Sequence, residues 1–223
     1  MIRPRATAFA AFAGAMLVCG AASAHPHVFA ESHMEIVGNA DGTLKAVRNV
    51  WRMDELFSSS VVFDFDKNAN GQLDEDELAE VGKVVKESIA EWDFYTFVKV
   101  GTRDVTMAPP DEIRMNVDNG QLIMFFEMAA GEPVDLKKDA LTVFNWDETF
   151  YVAFDYPDDT AFQLVDLPAN CGKKLVVPDE DEAASAWMDS IAALGPDEDV
   201  PTDGVDYSLL LATRTEVSCA AAS

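Results

Sequence analysis

Apolar and polar residues alternate over residues 27–37 and again over 44–52, the period-two pattern of strands with one buried face. Between them Gly38-Asn39-Ala40-Asp41-Gly42 gathers turn formers, so the two runs are expected to pair as a hairpin. A helical stretch follows at 53–63. A second helix is expected over 75–94, where Leu78, Val81, Val85, Ile89 and Trp92 recur at three- and four-residue spacing and Glu80, Lys83, Lys86 and Glu87 fall on the opposite face. Beyond it the period returns to two. Runs 96–100 and 105–107 flank Gly101-Thr102-Arg103-Asp104; Ile113, Met115 and Val117 precede the turn Asp118-Asn119-Gly120 and the run 122–128. Runs 141–146 and 150–156 flank Asp147-Glu148 as a further expected hairpin, and 175–177 and 207–217 read as late strands.

The order of elements predicts an α+β fold: antiparallel β-hairpin sheets, an inserted EF-hand helix-loop-helix at about 54–94, and a short acidic helix near the C-terminus. That last helix would be capped by Asp179, would carry Ala184, Trp187, Ile191 and Leu194 on one face, and would stop at Gly195-Pro196. It opens the segment 179–206, which holds ten acids and no Lys or Arg and otherwise reads as a hydrated surface loop. No internal repeat is present, and one domain over 25–223 is expected.

Residues 1–24 stand apart as a secretory signal. Arg3 and Arg5 supply the positive start, 6–18 the short apolar stretch, and Ala22-Ser23-Ala24 the small residues of a cleavage site. The stretch is too short for a membrane span, so the mature chain is expected to begin at His25, in the periplasm, with no membrane insertion after cleavage. Cys19 leaves with the signal. Cys171 and Cys219 remain, an even number in an oxidising compartment, which favours a disulfide; the absence of CxxC spacing argues against a thiolate metal site.

Charge narrows the partners. The chain of 223 residues carries 16 Lys and Arg against 40 Asp and Glu, a formal net charge of −24, which gives no electrostatic case for nucleic acid or anionic lipid. Cations are the natural ligands, and one motif is built for them. Residues 66–77 match the twelve-residue EF-hand loop: Asp66, Asn68 and Asn70 at positions one, three and five, Gly71 at the sharp turn, a backbone carbonyl from Gln72, Asp74 at nine, and Glu77 as the bidentate last ligand. With three charged ligands and no second loop to pair through Leu73, calcium affinity of about 10⁻⁴ M or weaker is expected, as in a structural clip rather than a sensor.

All three histidines lie just beyond the signal. Strand alternation puts His27, Glu31 and His33 on one face, and cleavage after Ala24 would give His25 a free α-amine. Pro26 has no amide hydrogen, so it cannot supply the deprotonated amide of an amino-terminal copper or nickel chelate. Imidazole with carboxylate suits zinc, nickel or cobalt at His25, His27, Glu31 and His33. Catalytic triads lack a histidine in the body of the chain, and neither a P-loop nor a dinucleotide fingerprint is present, so no enzyme is expected.

His25-Pro26-His27-Val28-Phe29, Trp51 with Asp54-Glu55-Leu56, the single EF-hand loop, Tyr151-Val152-Ala153-Phe154, and Cys171 with Cys219 occur together. In this combination the chain resembles a family of exported bacterial proteins of unassigned function, described as periplasmic components of an ABC-type transport system and encoded near nickel/cobalt-type permeases. The resemblance implies a metal-binding accessory with a membrane permease as partner. His33 lies outside the family's pattern, and Asn68 and Asn70 stand where Asp is common. The expected function is therefore a periplasmic metal-binding accessory for transition-metal transport with a structural calcium; the alternative is a calcium-stabilised interaction protein with no transition-metal role.

Overall fold

The computed structural model describes residues 27–179 and 207–220, with a few isolated positions between them. The expected signal, His25 and most of the expected acidic helix lie outside the described residues. The elements run β1 (Val28–Gly38), β2 (Leu44–Met53), α1 (Glu55–Phe65), α2 (Glu75–Ser88), a 3₁₀ segment (Ala90–Tyr95), β3 (Thr96–Val100), β4 (Arg103–Asp104), β5 (Arg114–Asp118) and β6 (Gln121–Ala129). Then follow β7 (Leu141–Asn145), β8 (Val152–Asp155), a 3₁₀ turn (Asp159–Ala161), β9 (Phe162–Val165), β10 (Cys171–Val176), one helical turn (Tyr207–Leu210) and β11 (Arg214–Cys219). The fold is α+β, and among the described residues its strands form two sheets.

The first sheet runs β5-β6-β2-β1, with β8 and then β9 along the outer edge of β1; the second runs β10-β11-β7-β3-β4. Pairing is antiparallel except on that outer edge, where β8 and β9 lie parallel to β1. This corrects the hairpin expected from 141–146 and 150–156: β7 and β8 belong to different sheets. Asp147 folds the intervening loop onto itself, accepting the Thr149 and Val152 amides at 2.9 and 2.8 Å, and the chain then meets the free edge of β1 instead of returning along β7. The second helix is also shorter than its periodicity, ending at Ser88. Asp93, Phe94 and Tyr95 take positive φ (49°, 53° and 47°), which turns the chain so that Phe94 enters the core.

The first sheet has one covered face. Val28, Ala30, Ser32, Met34 and Ile36 of β1 point inward beside Val47, Asn49, Trp51 and Met53 of β2 and Leu122, Met124 and Phe126 of β6. At one end α1 and α2 cover it, and Trp51, Met53, Leu122 and Met124 pack with Leu73, Val81 and Phe94. At the other end the second sheet covers it, and Met34, Ile36 and Val47 pack with Val98, Leu141, Val143 and Val217. Burying these branched and aromatic side chains is the main favourable term in the fold, of order 1.5–3 kcal/mol each.

A buried polar cluster sits where the two cores meet. The Asn145 side-chain oxygen accepts from Ser32 Oγ at 2.6 Å, Tyr156 OH at 3.0 Å and Trp51 Nε1 at 3.3 Å. Its amide nitrogen donates to the Tyr95 carbonyl at 3.0 Å, Asn49 Oδ1 at 3.1 Å and Thr96 Oγ1 at 3.2 Å. One side chain thus joins β1, β2, β3 and β7 across the seam. Cys171 and Cys219 face each other across β10 and β11 and are joined by a disulfide.

Candidate functional site

The loop between α1 and α2 is ordered by its own oxygens. Asp66 accepts the Asn70 amide at 3.1 Å and the Gly71 amide at 2.7 Å; Asn68 Oδ1 accepts Asn70 N–H at 3.0 Å; Asn70 Oδ1 accepts Gln72 N–H at 2.8 Å. Gly71 takes φ +81°, and Ala69 is held at φ +57° just before it. Glu77 spans the loop's two ends: Oε1 accepts the Lys67 amide at 2.8 Å and Oε2 the Asp74 amide at 2.9 Å, with the side chain buried. The Nδ2 atoms of Asn68 and Asn70 both donate to Asp74 Oδ2, at 2.7 and 3.3 Å. Among the described residues no three His, Cys, Asp or Glu side chains lie close enough together to hold a metal ion in this arrangement. The donors are oxygens throughout, a set suited to a hard cation and poor for zinc. Leu73 turns inward and packs in the helix-covered core, so the loop's apolar residue is satisfied within its own fold.

Of the two described histidines, His33 lies within β1 and His27 just before it. His27, Phe29, Glu31 and His33 follow the outer face of β1, as alternation requires. His33 Nε2 lies 3.1 Å from Glu31 Oε1. Asp158, at the start of the 3₁₀ turn beside β1, is held below the usual carboxylate range first by the Thr160 hydroxyl and amide, with a smaller contribution from His33. The His27 amide donates to the Tyr151 carbonyl at 2.9 Å, and the two rings lie 5.1 Å apart. Six residues of extended chain separate His27 from His33 by about 20 Å, too far for one ion. His25 lies outside the described residues.

Sequence reasoning missed what the fold brings to the start of β1. Three segments far apart in sequence meet there. Asp54 N–H donates to the Phe29 carbonyl at 2.9 Å, while its carboxylate accepts Phe29 N–H at 2.9 Å and caps α1 through Phe57 N–H at 2.8 Å. On the other side β8 pairs in parallel, Phe29 opposite Ala153. Beneath them Trp51 packs edge-on to Phe126 at 4.8 Å and against Phe154 at 5.0 Å. The hairpin expected from 27–37 and 44–52 places residue 54 beside the start of β1, but nothing local signalled that β8 would join from the other side.

A shallow groove on the outer face of the first sheet is lined by Glu35, Arg48, Phe125, Glu127 and Arg114. Arg48 bridges Glu35 at 3.0 Å and Glu127 at 2.6 Å, and Arg114 pairs with Glu112, so both guanidinium groups already hold carboxylates. The groove is a solvated ion-pair ladder across β1, β2 and β6. No helix of the described residues is long and apolar enough to cross a membrane.

The chain is similar to an uncharacterized protein of Haemophilus influenzae, 28% identical over 180 residues, which covers 79% of this chain and 84% of that protein. It is also similar to an uncharacterized 15.5 kDa protein encoded in the trpE 3' region of Spirochaeta aurantia, 24% identical over 108 residues, covering 48% of this chain and 76% of that protein. With a match over residues 10–219, the chain belongs to the family described as Protein of unknown function (DUF1007).

Proposed function

We propose that this protein is an exported, periplasmic metal-binding accessory that assists transition-metal transport through a membrane permease and carries calcium in loop 66–77 as a structural ion. The observation that supports the calcium half of the reading is the set of side-chain oxygens from Asp66, Asn68, Asn70 and Glu77 that orders the loop through its own backbone amides between two helices. With the Gln72 carbonyl and Asp74 these make the ligand spacing of an EF-hand. Holding calcium there requires Asn68 and Asn70 to present oxygen and Asp74 to exchange their amide donors for the ion. Zinc, nickel or cobalt would be taken by imidazole and carboxylate, at His25 with His27 near the chain start and at Glu31 with His33 further along β1. The Cys171–Cys219 disulfide and the leader 1–24 support export.

Protein beginning at His25 is dialysed against millimolar calcium with low-micromolar zinc, nickel and cobalt, and bound metal is counted by elemental analysis. Calcium lost in D66A/E77A, and a transition metal lost only in H25A/H27A, support both halves. Undiminished transition-metal uptake in H25A/H27A together with an H33A/E31A variant would sink the histidine assignment.

The second reading, a calcium-stabilised interaction protein without transition metal, is favoured by the separation of His27 from His33 and by the apolar side chains displayed around the start of β1. It requires calcium to raise the melting temperature while zinc and nickel leave it unchanged.

A further inference from the structure

Large apolar side chains are turned to solvent where β1 begins. Phe29 is 54% exposed on the outer face; Phe150 and Tyr151, in the loop before β8, are 44% and 48% exposed; Leu56, in the first turn of α1, is 77% exposed. Phe63, two turns along the same face of α1, is 87% exposed. Scattered single apolar residues on a surface are ordinary, but here they sit on three segments whose backbones meet at Phe29, through its pairing with Ala153 of β8 and its hydrogen bonds with Asp54 ahead of α1.

The corner is rigid by design of its loop. Asp147 is buried, 5% exposed, and its carboxylate accepts from the Thr149 amide, the Thr149 hydroxyl and the Val152 amide at 2.9, 2.7 and 2.8 Å. Phe150 N–H returns to the Asp147 carbonyl at 3.1 Å, with Phe150 at φ +56°, a conformation a bulky residue adopts at a cost. A buried carboxylate and a strained backbone are thus both committed to a loop that holds two aromatic rings in water. Ordered aromatic side chains on a fixed backbone are what binding hot spots require, because little entropy is left to lose.

Charge selects the partner. Residues 27–44, 54–66 and 139–172 contain no Lys or Arg, and around the aromatic rings they place Glu31, Glu55, Glu148 and Asp155. Arg52 stands opposite Glu31 in register and is paired with Asp118 at 3.0 Å, and the His27 ring lies 5.1 Å from that of Tyr151. An apolar centre with an acidic rim disfavours a second copy of this chain and an anionic bilayer, both of which would bring like charge.

We propose that Phe29, Leu56, Phe150 and Tyr151 form a docking surface for a cationic protein, one presenting an apolar cleft fringed by Lys or Arg. The partner seats the aromatic rings and neutralises the rim, so association is fast at low salt and weakens as salt rises. This goes beyond the metal reading and does not depend on it.

The test places a photo-crosslinking phenylalanine analogue at position 56, 150 or 151 of the full chain in its native cells, with position 116 on the far edge strand β5 as control. The expected result is one adduct protein common to the three positions and absent at 116. That protein, purified, should bind with a Kd raised about tenfold or more by F150S/Y151S and separately by L56S, and raised by added salt. The variants are read beside their circular dichroism, so that loss of fold is told from loss of contact. An adduct only with a second copy of the chain or with lipid, no adduct beyond the control, or a Kd indifferent to salt and to both variants would each overturn the proposal.

Discussion

Asp54 and Phe29 exchange two hydrogen bonds, backbone to backbone and backbone to carboxylate, each 2.9 Å long, and the second oxygen of the same carboxylate caps α1. One side chain therefore ties the start of β1 to the helix entering loop 66–77. Replacing it by alanine removes an N-cap worth about 1 kcal/mol and frees β1 from α1. D54A should lose about 1–2 kcal/mol in urea unfolding. It should also speed hydrogen exchange of the Phe29 amide, while D54N, which keeps one acceptor but turns an N–H₂ on the other amide, should fall between the parent and D54A.

Asn145 makes the seam between the two cores. In N145A Ser32 Oγ, Trp51 Nε1 and Asn49 Oδ1 lose the Asn145 side chain as partner in a buried place, each at a cost of about 1–3 kcal/mol, while Tyr156 OH keeps the backbone amide of residue 145, the Tyr95 carbonyl keeps Trp146 N–H and Thr96 Oγ1 keeps the Phe94 carbonyl. A loss of about 3 kcal/mol or more is expected, against about 1 kcal/mol for S32A. The double variant should fall short of the sum of the two losses, because both remove the same bond. Chemical denaturation of the four proteins checks this.

Gly82 lies inside α2, where alanine would ordinarily improve the helix by about 1 kcal/mol. A Cβ there would stand 2.1 Å from the Ile113 carbonyl oxygen, forcing α2 away from the chain leading into β5. G82A should therefore destabilise, by about 1–3 kcal/mol, reversing the sign expected from propensity. A thermal melt beside that of A79G, an exposed helical site, separates the two effects.

The Cys171–Cys219 disulfide closes a long loop whose sequence separation is 48. Its removal in C171S/C219S should cost about 4 kcal/mol in the chain-entropy account. Reductant should lower the melting temperature of the parent protein and leave the double variant unchanged.

Burial, and after it the negative charges of Asp147 and Glu91, push the Tyr95 phenol up to about 12; burial raises that of Tyr156 as well. Below about pH 10 both phenols are protonated whether the chain is folded or unfolded, and stability is untouched. Above it the unfolded chain ionises first, so stability falls as pH rises from about 10 through about 12. Urea midpoints across that range should decline in the parent and decline less steeply in Y95F.

The sequence by itself determined β1, β2, β3, β5, β6 and the helix-loop-helix, because these are written locally, and the disulfide pair through its even cysteine count; it did not show β9, and the expected strand 207–217 begins instead as the helical turn Tyr207–Leu210 before β11. Alternation in β1 and β2, turn residues between them, and the spacing of Leu78, Val81 and Val85 report which face each segment buries. The oxygen residues of loop 66–77 are legible for the same reason, since the positions an EF-hand loop would use follow one another along the chain. Tertiary structure alone decided which strands pair. Alternation in β7 and β8 is compatible with a hairpin or with separate sheets, and the choice fell to the Asp147 loop and the open edge of β1. That choice sets β8 parallel to β1 and brings Tyr151 to His27, beside the contact that the β1–β2 hairpin makes between Phe29 and Asp54. The corner built there depends on contacts more than 20 residues apart in sequence, which no local pattern encodes.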